Sequence, residues 1–203
     1  DVTHVSTYPL HTILEEAAKK FPEASGFDFL GKKFKWKELN ETANAFAKGL
    51  QDAGIAKGTK IGLCLPNCPQ YLIAYYGALK AGMTVVNFNP LYAMDELEYQ
   101  INDSETEIMV TLDLKVTYDK LGHMLARTNT LQHIIVCRFT DVLPFPKNLL
   151  FPVFKAKDLA NWPRDDKHMD FGDLLMNDAN PDPVDIDVQN DVALLQYTGG
   201  TTG

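Results

Sequence analysis

The sequence predicts an α/β protein in which repeated βαβ units build a parallel sheet flanked by helices. Two patterns carry this expectation. Short apolar runs begin at Ile61, Thr84, Ile108 and Ile134, at steps of 23, 24 and 26 residues. Stretches with helical spacing fill the intervals between them. Strands that alternate with helices in this way pair in parallel and are covered on both faces. Composition agrees: 203 residues, 45% hydrophobic and 23% charged, describe a globular chain of one or two domains with a sizeable core.

The elements follow in order. Residues 10–21 form an amphipathic pattern that places Leu10, Ile13, Leu14, Ala17 and Phe21 on one face. Residues 26–36 alternate as a hairpin with a turn near Gly31 and Lys32. A second helix carries Leu39, Ala43, Phe46, Ala47 and Leu50, and Gly54 supplies its stop. Residues 61–65 are the first strand of the repeat. Pro66, Asn67, Cys68 and Pro69 open a helix with a polar cap and an early proline. Its buried face is expected to be Leu72, Tyr75, Tyr76 and Leu79, with Ala81 and Gly82 at its end. Strand 84–87, helix 95–102, strand 108–110, helix 114–127 with Leu121 and Leu125, and strand 134–137 complete the rhythm.

From Arg138 to Asp191 the rhythm breaks. This aspartate-rich stretch holds six of the eleven prolines and no long periodic element, as expected of an excursion or a functional loop. The implied division is 1–58 for helices and a hairpin packed on the main domain, 59–138 for the parallel core, 139–190 for an irregular insert, and 191–203 for a strand entering a loop. Within the insert, residues 143–154 are strongly apolar, and Lys147, Lys155 and Lys157 punctuate or flank them. They suit either a loop packed on its own domain or a contact with a partner or a membrane surface, the latter through Phe145, Leu149, Leu150 and Phe151.

The last residues carry the clearest chemistry. An apolar run at 192–195 leads into Thr198, Gly199, Gly200, Thr201, Thr202 and Gly203. Glycines allow close approach of a ligand to the main chain, and successive free N–H groups make a concavity for an anion such as phosphate. The threonine hydroxyls add uncharged donors. A flexible Gly/Thr tail is the alternative, and the G-x-x-x-x-G-K-[ST] pattern is absent.

Other chemistries are excluded or unsupported. The net charge of −8 speaks against a nucleic-acid partner. Cys64, Cys68 and Cys137 are an odd set that suits buried thiols in a reducing compartment better than a disulfide framework or a metal site. The five histidines form no ligand pattern, and none of the three serines lies in G-x-S-x-G. No apolar run reaches the roughly 18 residues that span a bilayer.

Residues 197–203 resemble the phosphate-binding signature of the adenylate-forming superfamily, which includes acyl-CoA synthetases, luciferases and peptide-synthetase adenylation domains. The resemblance extends upstream. Phe34 to Leu39 is similar to the family's aromatic-x-Glu-Leu motif. Leu65-Pro66-Asn67 with Gly77-Ala78-Leu79-Lys80-Ala81-Gly82 is similar to its Leu-Pro-Asn and Gly-x-Leu-Lys-Ala-Gly block. Asn89-Pro90-Leu91-Tyr92, Glu96-Leu97 and Asp103-Ser104 resemble the Asn-Pro-Leu-Tyr, Glu-Leu and Asp-Ser block. The pair Gly199-Gly200 and the Pro/Phe-rich insert resemble bacterial long-chain fatty-acid–CoA ligases; other acyl- or aryl-CoA ligases share most of the pattern.

The resemblance implies the N-terminal part of the large domain of such an enzyme. Its substrates would be fatty acid, ATP and CoA, with Mg²⁺, in a two-step reaction through an acyl-adenylate. Thr198 to Gly203 would hold the ATP phosphates. The loop lysine, the aromatic-Gly-x-Thr-Glu motif, the ribose-binding aspartate and the C-terminal-domain lysine find no counterpart here, so no catalytic residue is assigned within these 203 residues. The family also implies a cytoplasmic enzyme, peripheral at the inner face of the cytoplasmic membrane, and a homodimer. A nucleotide-binding α/β module without ligase chemistry and a pure interaction domain are the competing classes.

Overall fold

A computed structural model describes residues 8–198 of the chain. Its centre is a six-stranded parallel sheet: β3 (Lys60–Cys64), β4 (Thr84–Asn87), β5 (Ile108–Leu112), β6 (His133–Cys137), β7 (His168–Asp170) and β8 (Leu194–Gln196), in the spatial order β7-β6-β5-β3-β4-β8. An antiparallel hairpin, β1 (Ser25–Phe29) and β2 (Lys32–Lys35), stands apart from it. Leu30 and Gly31 turn the hairpin with φ of 54° and 93°. Two consecutive positive values match the twist of paired strands, and glycine takes the second without strain.

Successive strand residues point to opposite faces, so a fully apolar strand supplies two cores. Ile61, Leu63, Val85, Ile108, Val110 and Ile135 meet α2 (Trp36–Asp52) and α3 (Pro69–Lys80) on one side. Val86, Met109, Ile134 and Val136 meet α4 (Met94–Ser104) and α5 (Lys115–Arg127) on the other. The start of α4 is fixed by Glu96, whose carboxylate accepts the Ala93 N–H at 2.8 Å, half of a capping box.

Two expected faces are corrected. α1 (Thr12–Lys20) buries Leu14 and Ala18, while Leu10, Ile13 and Phe21 are exposed. A single short helix on the rim buries only a narrow stripe. In α3 Leu79 is buried as expected, together with Ile73, Ala74, Gly77 and Ala78, whereas Leu72, Tyr75 and Tyr76 are only half-buried at the edge of the core. The reason is close helix packing: a Cβ on Gly77 would lie 2.8 Å from the Ala43 carbonyl oxygen and from Phe46 Cδ1. Only small residues let α2 and α3 approach so far at this point, and Tyr75 and Tyr76 stand at the edge of the contact.

The stretch 139–190 is more ordered than its sequence pattern suggests. It contains α6 (Lys147–Phe154), β7, which extends the sheet beside β6, and α7 (Phe171–Leu174). Phe171 packs on Phe46 with ring centroids 4.9 Å apart. Asp170, at the end of β7, accepts from Arg138 (2.6 Å), Arg164 (3.2 Å) and the Gly172 N–H (2.8 Å). The chain then runs back along α2. Gln51 makes reciprocal bonds with the Asp182 backbone at 2.8 and 2.9 Å, and Lys57 pairs with Asp191 at 2.6 Å. This return delivers β8 to the edge beside β4.

Candidate functional site

β8 pairs in parallel with β4, in the register Val85↔Leu194, Val86↔Leu195 and Asn87↔Gln196. It is held further by the Thr84 hydroxyl, which donates to the Val192 carbonyl at 2.8 Å. A parallel strand sends its following loop to the carboxyl end of the sheet, where α/β proteins place their ligands. Thr198 emerges there and is exposed. Gly199, Gly200, Thr201, Thr202 and Gly203 lie outside the described residues.

The base of this loop is fixed by a chain of side-chain bonds. Tyr71 donates its hydroxyl to Asn87 Oδ1 (2.9 Å). The Asn87 amide donates to Gln196 Oε1 (2.8 Å), and Gln196 Nε2 reaches the Tyr197 carbonyl (3.2 Å). Gln100 of α4 donates to the Asn87 carbonyl (2.8 Å). Tyr197 rests its ring on the α4–α5 core and donates its hydroxyl to Asp103 Oδ2 at 2.5 Å. Burial and the bond to the Asp103 carboxylate push the Tyr197 hydroxyl up to about 12, so it remains a donor across the physiological range. The last residues of β4 and β8 are thereby bolted to helices on both sides of the sheet.

On the α3 side the same edge opens into a cleft of about 380 Å³, walled by Phe27, Tyr71, Leu72, Tyr75, Tyr76 and Leu194. Tyr71 and Tyr75 stack with centroids 6.1 Å apart, and Tyr75 and Tyr76 meet edge-on at 5.3 Å. Burial raises all three hydroxyls above the usual tyrosine range. Leu72, Tyr75 and Tyr76, expected in the core, therefore form part of the wall of a concave aromatic surface that leads to Asn87.

A second potential crevice is occupied along one side. Without β8, the strands in order of appearance are arranged 2-1-3-4-5, the flavodoxin-like order, whose ligand crevice lies between the carboxyl ends of its first and third strands. Here those are β3 and β5. The residues after β5 are already engaged: Asp113 Oδ1 accepts the Phe139 N–H at 2.8 Å, the Asp113 carbonyl accepts the Ala160 N–H at 2.8 Å, and Leu114 bridges Leu159. The insert thus pairs along the β5 side of that crevice, whereas Asn67 and Cys68, after β3, line the same open cleft as Tyr71 and Asn87.

The sequence pattern proposes Thr198 as a phosphate-loop residue, and the structure places it, exposed, just after β8; the pattern does not single out the residues that hold this strand end. Asn87 and Asp103 lay within or beside the motif block quoted for the resemblance, and their polarity at a strand end and a helix end was the available signal. Tyr71, Gln100 and Gln196 carried none. Among the described residues no group of three or more His, Cys, Asp or Glu side chains is placed to hold a metal ion. Cys64, Cys68 and Cys137 are buried and unpaired with one another, and burial raises each thiol, Cys64 to about 12 and Cys68 to about 11. Of the four candidate membrane residues, Phe145, Leu149 and Leu150 are exposed, whereas Phe151 turns inward against Phe139 at 5.1 Å.

The profile described as "AMP-binding enzyme" matches residues 14–203. The chain belongs to this family. It is 37% identical, over its whole length, to the long-chain-fatty-acid–CoA ligase of Bacillus subtilis (strain 168), of which it covers 37%. It is 35% identical, over 94% of its length, to the long-chain-fatty-acid–CoA ligase of Salmonella typhimurium, of which it covers 34%. The chain spans about a third of the length of these curated relatives. Its fold is that of solved adenylate-forming enzymes. A long-chain-fatty-acid-CoA ligase from Archaeoglobus fulgidus superposes with a TM-score of 0.73 at 23% identity, over 98% of this chain and 36% of the other. The anthranilate CoA ligase AuaEII, in complex with anthranoyl-AMP, gives 0.74 at 17% identity, over 98% of this chain and 34% of the other.

Proposed function

We propose that this chain is the N-terminal part of an ATP-dependent long-chain fatty acid–CoA ligase that forms acyl-CoA, AMP and pyrophosphate through an acyl-adenylate. The observation that carries the reading is the delivery of the Tyr197-Thr198 strand end to the carboxyl edge of the sheet, in a chain similar along its own length to about a third of a ligase of that name. The carboxylate would attack the α-phosphorus of ATP and release pyrophosphate; the CoA thiol would then displace AMP.

In this reading Thr198 to Gly203 cradle the ATP phosphates with main-chain N–H groups and hydroxyls, which is positioning and charge stabilisation rather than proton chemistry. Mg²⁺ would arrive bound to phosphate oxygens and water, an arrangement that needs no dedicated carboxylate cage. The aromatic cleft beside Asn87 offers an apolar wall at the same edge. The proposal also includes a cytoplasmic, peripherally membrane-attached enzyme; light scattering on the complete protein decides the homodimer.

The test is ATP–pyrophosphate exchange by the complete gene product with fatty acids of graded chain length. Exchange that depends on long-chain acids supports the reading. Exchange driven only by aryl or short acids reassigns the substrate, and ATP binding with no exchange returns the chain to a non-catalytic nucleotide module.

A further inference from the structure

The outer surface of α6 takes no part in the site above. Its residues Lys147–Phe154 are an apolar run with no buried member. Val153 and Phe154 are 72% and 74% exposed, Leu149 is 61% exposed, and Phe145, just before the helix, is 79% exposed. A helix packed on protein hides one stripe of its circumference; this one shows apolar side chains around most of it. Among the described residues no helix is long and apolar enough to cross a membrane, and eight residues reach only about 12 Å.

The tertiary structure adds a second segment. The hairpin tip approaches α6, so that Leu30, itself 54% exposed, shares an apolar cleft of about 340 Å³ with Leu150, Phe151 and Phe154. Lys32 Nζ secures the tip to the Asp141 carbonyl at 2.8 Å. The charge of this face opposes that of the chain. Residues 142–157 include Lys147, Lys155 and Lys157 and no acidic residue, and Lys33 is exposed next to the hairpin tip; the acids beside this face are Asp28, Asp141 and Asp158, the last paired with Lys155 at 3.5 Å, so lysines outnumber acids here in a chain of net charge −8.

We propose that α6 and the β1–β2 tip form a docking face for an anionic lipid bilayer. Phe145, Leu149, Val153 and Phe154 enter the boundary between headgroups and acyl chains, and Lys33, Lys147, Lys155 and Lys157 meet the lipid phosphates. Charge complementarity selects this occupant: an acidic protein as a whole is repelled by anionic lipid, and a local cationic ring around exposed aromatic and aliphatic groups reverses that repulsion. The inference names the surface and lipid class for the peripheral attachment proposed above, and it does not depend on the ligase chemistry.

The test uses the complete gene product and sedimentation with vesicles of phosphatidylcholine alone or with about 30% phosphatidylglycerol. Binding is expected to be about tenfold tighter to the anionic vesicles and to weaken with salt. Phe145→Ser/Leu149→Ser/Phe154→Ser is expected to lower partitioning at least about tenfold with an unchanged melting temperature. Lys147→Gln and Lys155→Gln, which leave the apolar contacts intact, should each lower it about fivefold on anionic vesicles only. The proposal is overturned if the wild-type protein stays in the supernatant with anionic vesicles, or if the triple variant binds as the wild type does. A triple variant that melts several degrees lower also overturns it, since the face is then covered by the remainder of the protein. A concentration-dependent dimer that the same variant abolishes, without vesicle binding by the wild type, assigns the face to a second copy instead. Pyrophosphate exchange, measured in parallel, separates failure of this proposal from failure of the ligase reading.

Discussion

Tyr197→Phe in the complete protein tests whether the strand end is fixed for the sake of the loop that follows it. The substitution keeps the ring on the α4–α5 core and removes only the hydroxyl that meets Asp103 at 2.5 Å. A hydrogen bond to a charged group is worth about 1.5–3 kcal/mol when buried. Asp103 is exposed and Tyr197 only partly covered, so solvent reduces this to about 1 kcal/mol. That corresponds to about a fivefold change in the balance between fixed and free loop bases. If ATP binds only the fixed arrangement, its KM rises by up to about fivefold while the melting temperature moves by no more than about 4 °C. Asp103→Ala alone is ambiguous, because it also removes a negative charge near the proposed phosphate loop. The double-mutant cycle isolates the bond, with an expected coupling of about 1 kcal/mol read from kcat/KM in pyrophosphate exchange. A Tyr197→Phe enzyme with unaltered KM for ATP, or a cycle with additive effects, would refute the reasoning.

Four further outcomes are expected. Thr201→Val and Thr202→Val in the complete protein should each lower the adenylation rate roughly 10- to 1000-fold with the fold intact, the scale of one preorganised donor; wild-type exchange rates at saturating ATP would remove the loop from the phosphate site. If the proposed reading holds, the 203-residue chain by itself should form no acyl-adenylate at a rate near that of the complete enzyme, each charge-assisted contact absent from it costing about 2–4 kcal/mol, and thin-layer detection of the adenylate checks this. Gly77→Val should destabilise the protein by about 3 kcal/mol in urea unfolding, because the added Cβ meets a backbone carbonyl that cannot yield. Burial pushes the Asp170 carboxyl up, but Arg138, the Gly172 N–H and Arg164 outweigh it and hold the group below the usual carboxylate range. Its contribution is therefore complete above its unfolded value of about 3.9 and is lost as pH falls through the depressed folded value. Asp170→Asn should cost about 2 kcal/mol at neutral pH and flatten the acid limb of the stability profile; an unchanged acid limb would show that the arginines do not stabilise the carboxylate.

The sequence by itself determined the βαβ rhythm, because each of β3 to β6 is apolar enough on both faces to announce a buried parallel strand. It also carries the proposal of a phosphate loop at 198–203, since glycine and threonine in that density have a local, backbone-level meaning. What it did not reveal is every feature that depends on two distant segments meeting. β7 is a three-residue edge strand with one buried position, too short to leave a period-two signal, and it exists because β6 offers it a ladder. The packing of α3 was decided by the contact of Gly77 with α2, which no pattern within α3 contains, and Tyr75 and Tyr76 stand at the edge of the core, where they wall the cleft. The links from Tyr71 through Asn87 to Gln196, and from Tyr197 to Asp103, join residues 16, 109 and 94 positions apart. Amphipathic periodicity reports which way a side chain faces, not what it meets. The partner is set only when parallel pairing of β8 with β4 fixes the register, and with it the place where the loop begins.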